Sequence, residues 1–258
     1  MMSELITLKK QDKLQFEVYN TRCSMGHAAA QKVREILVAL QNKQDTIRII
    51  FASAPSQNEF LMSLKEHQDI DWSKVVAFHM DEYTGLPSES PQSFSSYIKE
   101  NLLDDVKPKE AHFIKADSSD AEAECIRYSE LLNEAPIDLV CLGVGENGHI
   151  AFNDPWVADF TDSKVVKPVK LDELCRQQQV NDKCFDELSE VPTHALTLTI
   201  PTLFSAKYMV CIVPAMTKRN AITRMLNEGI NEDLPASILR NHSNAYLYLD
   251  ADSGADFI

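Results

Sequence analysis

Six short apolar, β-branched runs recur along this chain, separated by stretches with helical spacing, and that alternation constrains the fold more than any other feature. The runs are Ile47-Arg-Ile-Ile-Phe-Ala52, Val75-Val-Ala-Phe-His79, Asp138-Leu-Val-Cys-Leu-Gly143, Leu196-Thr-Leu-Thr-Ile200, Tyr208-Met-Val-Cys-Ile-Val213 and Ala245-Tyr-Leu-Tyr-Leu249. Between them, Met25 to Leu40, Glu59 to Glu66, Ala121 to Asn133 and Thr217 to Asn227 carry apolar residues three and four apart, the stripe of an amphipathic helix. Strands alternating with helices build βαβ units, so the expectation is an α/β fold. Its form is a three-layer αβα sandwich with a mostly parallel central sheet and all six runs in it.

With 258 residues, 44% of them hydrophobic, the chain has enough apolar surface for one sizeable core. No repeat or low-complexity linker divides it, which predicts a single α/β domain over 1–258. The least periodic region, 156–193, is rich in Lys, Asp, Glu and Gln and reads as a lid. A formal net charge of −14 argues against a nucleic-acid or membrane surface, and an anionic ligand must then be met by local cations. No apolar run approaches the roughly 20 residues of a bilayer span, and the N-terminus has no signal-peptide pattern, so a cytoplasmic protein is expected. Cys23, Cys125, Cys141, Cys175, Cys184 and Cys211 form no C-x-x-C pair and are read as reduced structural thiols.

In open parallel sheets, ligands bind beyond the carboxyl ends of the strands. Four such places carry chemistry here. Gly143, Gly145 and Gly148 precede or flank His149 in a loop that allows close approach to a ligand, which puts Gly145 among the binding candidates. Asn147 and Asp154 are near enough to orient the imidazole and stabilise its protonated form. With no second histidine at i+4 and no thiolate pair, the loop does not read as a metal site. The Val75–His79 run is followed by Asp81 and Glu82, carboxylates that partial burial would turn into bases. Ser56 and Glu59 have capping-box spacing, so the Ser56 hydroxyl and free amides at a helix start could cradle a phosphate. Lys218, after the possible N-cap Thr217, opposes the helix dipole there, a placement that an anion would explain.

Met80-Asp-Glu-Tyr-Thr-Gly-Leu-Pro87, Ser93-Phe-Ser-Ser-Tyr97, Gly143-Val-Gly-Glu-Asn-Gly-His-Ile-Ala-Phe-Asn-Asp-Pro155 and Lys218 together resemble the glucosamine-6-phosphate deaminase/isomerase family, in its order and across most of the chain. The related 6-phosphogluconolactonases share the fold and a Gly-x-Gly-x-x-Gly-His loop. They typically continue with Ala-Ser-Leu-Phe-Pro, whereas this chain reads Ile-Ala-Phe-Asn-Asp-Pro. The resemblance implies conversion of glucosamine 6-phosphate and water to fructose 6-phosphate and ammonia, without cofactor or metal. By the same resemblance Asp81 moves a proton from C2 to C1, His149 opens the sugar ring, and Lys218, Ser56, Gln57 and Arg176 hold the phosphate. The partner is then a small hexosamine phosphate, and a homo-oligomer stays open.

Three departures qualify the match. The phosphate loop reads Ala54-Pro-Ser-Gln-Asn58 where the family is commonly Gly-rich. Asn147 stands where the family has either Asp or Asn. Asp154 takes the place of a frequent Glu and draws its carboxylate back by roughly 1.5 Å, about one C–C bond, so either the loop closes up or the contact with His149 is indirect. These changes suggest a divergent subfamily, with galactosamine 6-phosphate as an alternative substrate. A lactonase-like hydrolase and a non-catalytic sugar-phosphate sensor are the competing readings. The end at Ile258 leaves out the longer C-terminal segment of allosteric relatives, so strong N-acetylglucosamine 6-phosphate activation is not expected.

Overall fold

The computed structural model describes residues 4–258 apart from 88, 116 and 119. Its strands are β1 Leu5–Gln11, β2 Leu14–Tyr19, β3 Ile47–Phe51, β4 Val75–His79, β5 Asp81–Tyr83, β6 Glu110–His112, β7 Leu139–Leu142, β8 Val166–Lys170, β9 His194–Leu198, β10 Tyr208–Val213 and β11 Ala245–Asp250. The helices are α1 Arg22–Gln41, α2 Asn58–Leu64, α3 Phe94–Ile98, α4 Asp104–Val106, α5 Ala121–Asn133, α6 Glu173–Asn181, α7 Ile200–Phe204 and α8 Arg219–Asn227. The central sheet has the order β1-β2-β11-β10-β7-β3-β4-β6 and is parallel except for β1, which pairs antiparallel with β2.

Successive side chains of a strand point to opposite faces, and the inner strands show it. Ile47, Ile49 and Phe51 pack with Met25, Val33 and Leu37 of α1 and with Phe60 and Leu61 of α2. Ile50 and Ala52, one residue out of phase, join the opposite layer with Tyr128 of α5 and Ile222 and Met225 of α8. Both faces of the sheet are therefore sealed by helices, as the uninterrupted apolar runs require.

One run departs from the expected sheet. β9 does not enter the parallel array; it is the middle of a small antiparallel sheet, β5-β9-β8. Its one threonine, Thr197, stands opposite Asp81 and is fully buried. The small sheet has its own aromatic cluster, with Tyr83, Phe94, Phe152 and Phe185 packed at ring separations of 4.7–5.7 Å. Residues 156–193 contribute β8 and α6 to this unit, so the segment read as aperiodic contains regular structure. Among the described residues no helix is long and apolar enough to cross a membrane.

Candidate active site

A cavity opens beyond the carboxyl ends of the adjacent strands β10, β7, β3 and β4. Its wall includes Ser53 and Ser56 after β3, Asp81 after β4, Gly143, Gly145 and His149 after β7, and Lys218 after β10. The four strand ends singled out in the sequence thus converge on one space.

Asp81 lies where the chain leaves the parallel sheet for the small one, with only Met80 between β4 and β5. Leu198 N donates to Met80 O at 2.9 Å and pins that crossing. Burial, and then the charge of Glu82 beside it, push the Asp81 carboxyl well above the usual carboxylate range. Glu82 points the other way. It accepts from the backbone N–H of Tyr83 and Phe94 at 3.0 Å and of Ser95 at 2.9 Å, tying β5 to the start of α3. Burial still raises it, against those three bonds. Of the two adjacent acids, then, Asp81 faces the cavity and Glu82 is structural.

The glycine loop is folded around its histidine. A Cβ at Gly145 would collide with the His149 ring, and Gly148 takes a φ of +87°, open to glycine at little cost. The Gly145 amide donates to His149 O at 3.0 Å. The amide is therefore committed within the loop, and Gly145 meets the cavity as part of its wall rather than as a free donor. Asn147 Nδ2 donates to Asp154 Oδ1 at 2.9 Å, while Asn147 Oδ1 accepts from His149 N at 3.0 Å. His149 Nδ1 and Asp154 Oδ1 are 3.1 Å apart, so the loop closes up around the shorter acid. That is an ion-pair distance, but Nδ1 lacks the alignment of a hydrogen bond. Burial alone would raise the Asp154 carboxyl; the His149 ring, Asn147 and the Cys175 thiol outweigh it and hold the carboxyl below its ordinary value.

Lys218 is only 4% exposed, and its Nζ has no hydrogen-bond partner among the described residues. The nearest carboxylate oxygen, Glu146 Oε1, lies at 4.0 Å. Burial lowers the Lys218 pKa, opposed by Asp182 and Glu146. The turn that delivers it begins at Ala215, whose φ of +85° is costly for a residue with a Cβ. The Asp250 carboxylate accepts from Ala215 N at 3.0 Å and holds it there. Lys218 is the last residue of a short 3-10 turn, Met216–Lys218, and α8 has no side-chain cap, so Thr217 is not the N-cap expected.

The Ser56–Glu59 capping box is also absent. Pro55–Gln57 is a 3-10 turn, Gln57 N donates to Ala54 O, and Glu59 pairs with Arg22 at 2.7 Å. Ser56 reaches the cavity. Gln57 turns inward behind the wall, donating to Ser56 Oγ at 3.0 Å and Ile212 O at 3.2 Å. Arg176 is likewise off the cavity wall: its guanidinium donates to the carbonyls of Leu188 and Val191.

Sequence reading missed four polar wall residues. Ser53 has a buried hydroxyl without a hydrogen-bond partner among the described residues. Gln178, Gln179 and Asp182, from α6 and its C-cap, close the opposite wall, and Gln178 Oε1 accepts from Glu146 N at 2.9 Å. Helical spacing in residues 173–182 could have signalled the helix, but not which of its polar residues face the cavity. Cys175, read as structural, lies beside Asp154 and His149, with one donor atom from each within 4.8 Å of the others.

The family model for glucosamine-6-phosphate isomerases/6-phosphogluconolactonase matches residues 20–248. A glucosamine-6-phosphate deaminase from an Exiguobacterium species is 38% identical over 181 residues, 70% of this chain and 69% of that protein. One from Listeria monocytogenes is 32% identical over 230 residues, 88% of this chain and 95% of its own. Among solved structures, a monomeric glucosamine-6-phosphate deaminase superposes with a TM-score of 0.84 at 25% identity, covering 93% of this chain and 98% of that one. A 6-phosphogluconolactonase from Thermotoga maritima reaches 0.75 at 21% identity over 92% of this chain and all of its own, a likeness of fold.

Proposed function

The chain belongs to the family of glucosamine-6-phosphate isomerases and 6-phosphogluconolactonases, and we propose that it is a deaminase converting glucosamine 6-phosphate and water to fructose 6-phosphate and ammonia. The observation that carries this is the presence, in one cavity wall, of a buried ammonium without a hydrogen-bond partner among the described residues and a buried carboxyl raised above its ordinary range. The first suits a phosphate and the second a carbon acid.

His149 moves a proton from the anomeric hydroxyl to the ring oxygen, and the sugar opens. Asp81 takes the proton from C2 and returns it to C1, through an enolamine. Water then attacks C2 and ammonia leaves. Asn147 and Asp154 hold the imidazole in place. Lys218 and Ser56, with the Ser53 hydroxyl, receive the phosphate, whose charge must be met locally in a chain of net charge −14. The segment 156–193 serves as the lid, with α6 as the part that meets the sugar.

Ammonia release across a panel of hexosamine 6-phosphates tests the reading, beside lactone hydrolysis and calorimetric binding. Ammonia from glucosamine 6-phosphate is the expected result. Lactone hydrolysis without ammonia, or binding without turnover, would overturn it, and preference for galactosamine 6-phosphate would move the substrate within the same chemistry.

A further inference from the structure

Behind the cavity wall, Cys175 of α6 meets two side chains of the glycine loop, of which His149 lines the cavity. A ring nitrogen of His149, a carboxylate oxygen of Asp154 and the sulfur of Cys175 lie within 4.8 Å of one another. The residues are 8%, 0% and 1% exposed. His149 Nδ1 lies 3.1 Å from Asp154 Oδ1, while Asp154 Oδ2, shielded from water, has no aligned hydrogen bond among the described residues.

Imidazole, carboxylate and thiolate together are the donor set of a borderline-soft divalent ion. Magnesium and calcium prefer oxygen alone. Tetrahedral zinc, bound at about 2.0–2.3 Å, spaces its ligands by roughly 3.5 Å, so the cluster needs only a modest contraction. A carboxylate and a thiolate supply two negative charges against the two positive charges of the ion. Binding displaces the thiol proton to solvent. Because His149 lines the cavity, a fourth position would be left to water from that side.

The geometry points to a latent inhibitory metal site in which His149, Asp154 and Cys175 bind a zinc-class divalent cation, which takes the imidazole out of proton transfer. The metal is a competitor of catalysis here and has no part in the reaction.

Cobalt(II) titration of the full chain tests it directly. The wild type should bind one ion and show a near-ultraviolet thiolate-to-cobalt band with the visible bands of a tetrahedral centre. Cys175→Ser and Cys175→Ala should each lose the near-ultraviolet band, while Cys184→Ser keeps it. Zinc should in parallel inhibit ammonia release by the wild type, reversibly with a chelator. In Cys175→Ser the concentration for half-inhibition should rise by at least about 10–100-fold, the span found even for groups that only orient metal ligands. Absence of the band in the wild type, or its survival in the Cys175 variants, overturns the proposal. Should neither Cys175 variant fold, His149→Gln decides, since unchanged cobalt binding there is equally fatal. The zinc arm rests on the deaminase reading and the cobalt arm does not, so a wild type that releases no ammonia without zinc speaks against that reading alone.

Discussion

The two walls of the cavity are built on different principles. One consists of the ends of β10, β7, β3 and β4 and carries charged or titratable groups: Lys218, His149 and Asp81. These are held by bonds that leave the reactive atom facing the cavity, as the strained Ala215 does for Lys218 and the Gly145 cleft for His149. The other wall is α6, mounted on the small antiparallel sheet, and contributes mainly the carboxamides of Gln178 and Gln179. Its only arginine is spent on the carbonyls of Leu188 and Val191. Where the backbone is fixed by a buried parallel sheet, the wall carries buried charged or titratable groups; where it rests on a smaller cluster, two carboxamides and the partly exposed Asp182 shape and close the site.

If that division is right, substitutions on the strand-end wall should cost far more than substitutions on α6. Asp81→Asn keeps size and shape but removes the base, so kcat should fall by about 10²–10⁴-fold in a steady-state ammonia assay, the usual reach of general-base catalysis. Its stability should move the other way. With the Asp81 carboxyl raised in the folded protein, stability is fullest when the group is protonated and is lost as pH rises through that raised value. At neutral pH the Asn variant should therefore melt higher, by about 2–4 °C for each kcal/mol of burial cost removed. A variant both inactive and less stable would mean that Asp81 is structural.

Lys218→Ala comes next. A charge-assisted bond to phosphate is worth about 1.5–3 kcal/mol, so KM should rise by roughly 10–100-fold with kcat much less affected, because ground state and transition state use the phosphate alike. An unchanged KM would remove Lys218 from the phosphate site.

Gly145→Ala sharpens the comparison without touching any charge. The new methyl must displace the His149 ring, and such overpacking costs about 1–3 kcal/mol. The expected result is a lower melting temperature together with a loss of turnover on the cyclic sugar. Normal turnover would show that the ring has no fixed place in the reaction.

On the α6 wall the effect should be smallest. Gln179→Ala removes a neutral hydrogen-bonding group, worth about 0.5–1.5 kcal/mol, so KM should rise no more than roughly 2–10-fold. A loss as large as that of Lys218→Ala would break the division between the walls.

The same division explains what could be read from the sequence. The strands β3, β4, β7, β10 and β11 are buried on both faces and announce themselves as apolar runs, and the residues just beyond four of them are those that line the cavity. β1 escaped notice because its face is exposed and its sequence, Leu5-Ile-Thr-Leu-Lys-Lys-Gln11, mixes charge with apolar residues. β9 was assigned to the wrong sheet because five residues with a buried Thr on one face look the same in either. Gln178, Gln179 and Asp182 were illegible for another reason: polar residues on a helix give no sign of whether they face water or a cavity. Cys175 and Asp154 are 21 positions apart, and only the packing of α6 against the glycine loop brings them together. Gln57 and Arg176 show the converse error, since a residue type suited to phosphate was in each case engaged by a backbone carbonyl.

The central claim is that Asp81 carries a proton between two carbons of the substrate, and isotope incorporation measures it most directly. The enzyme should be run on glucosamine 6-phosphate in deuterated water and the fructose 6-phosphate examined by NMR. Deuterium at C1 is predicted for the wild type, with Asp81→Asn losing incorporation in step with turnover. If the Asn variant placed deuterium at C1 at the wild-type rate, the proton would be moved by another group and the account would be wrong.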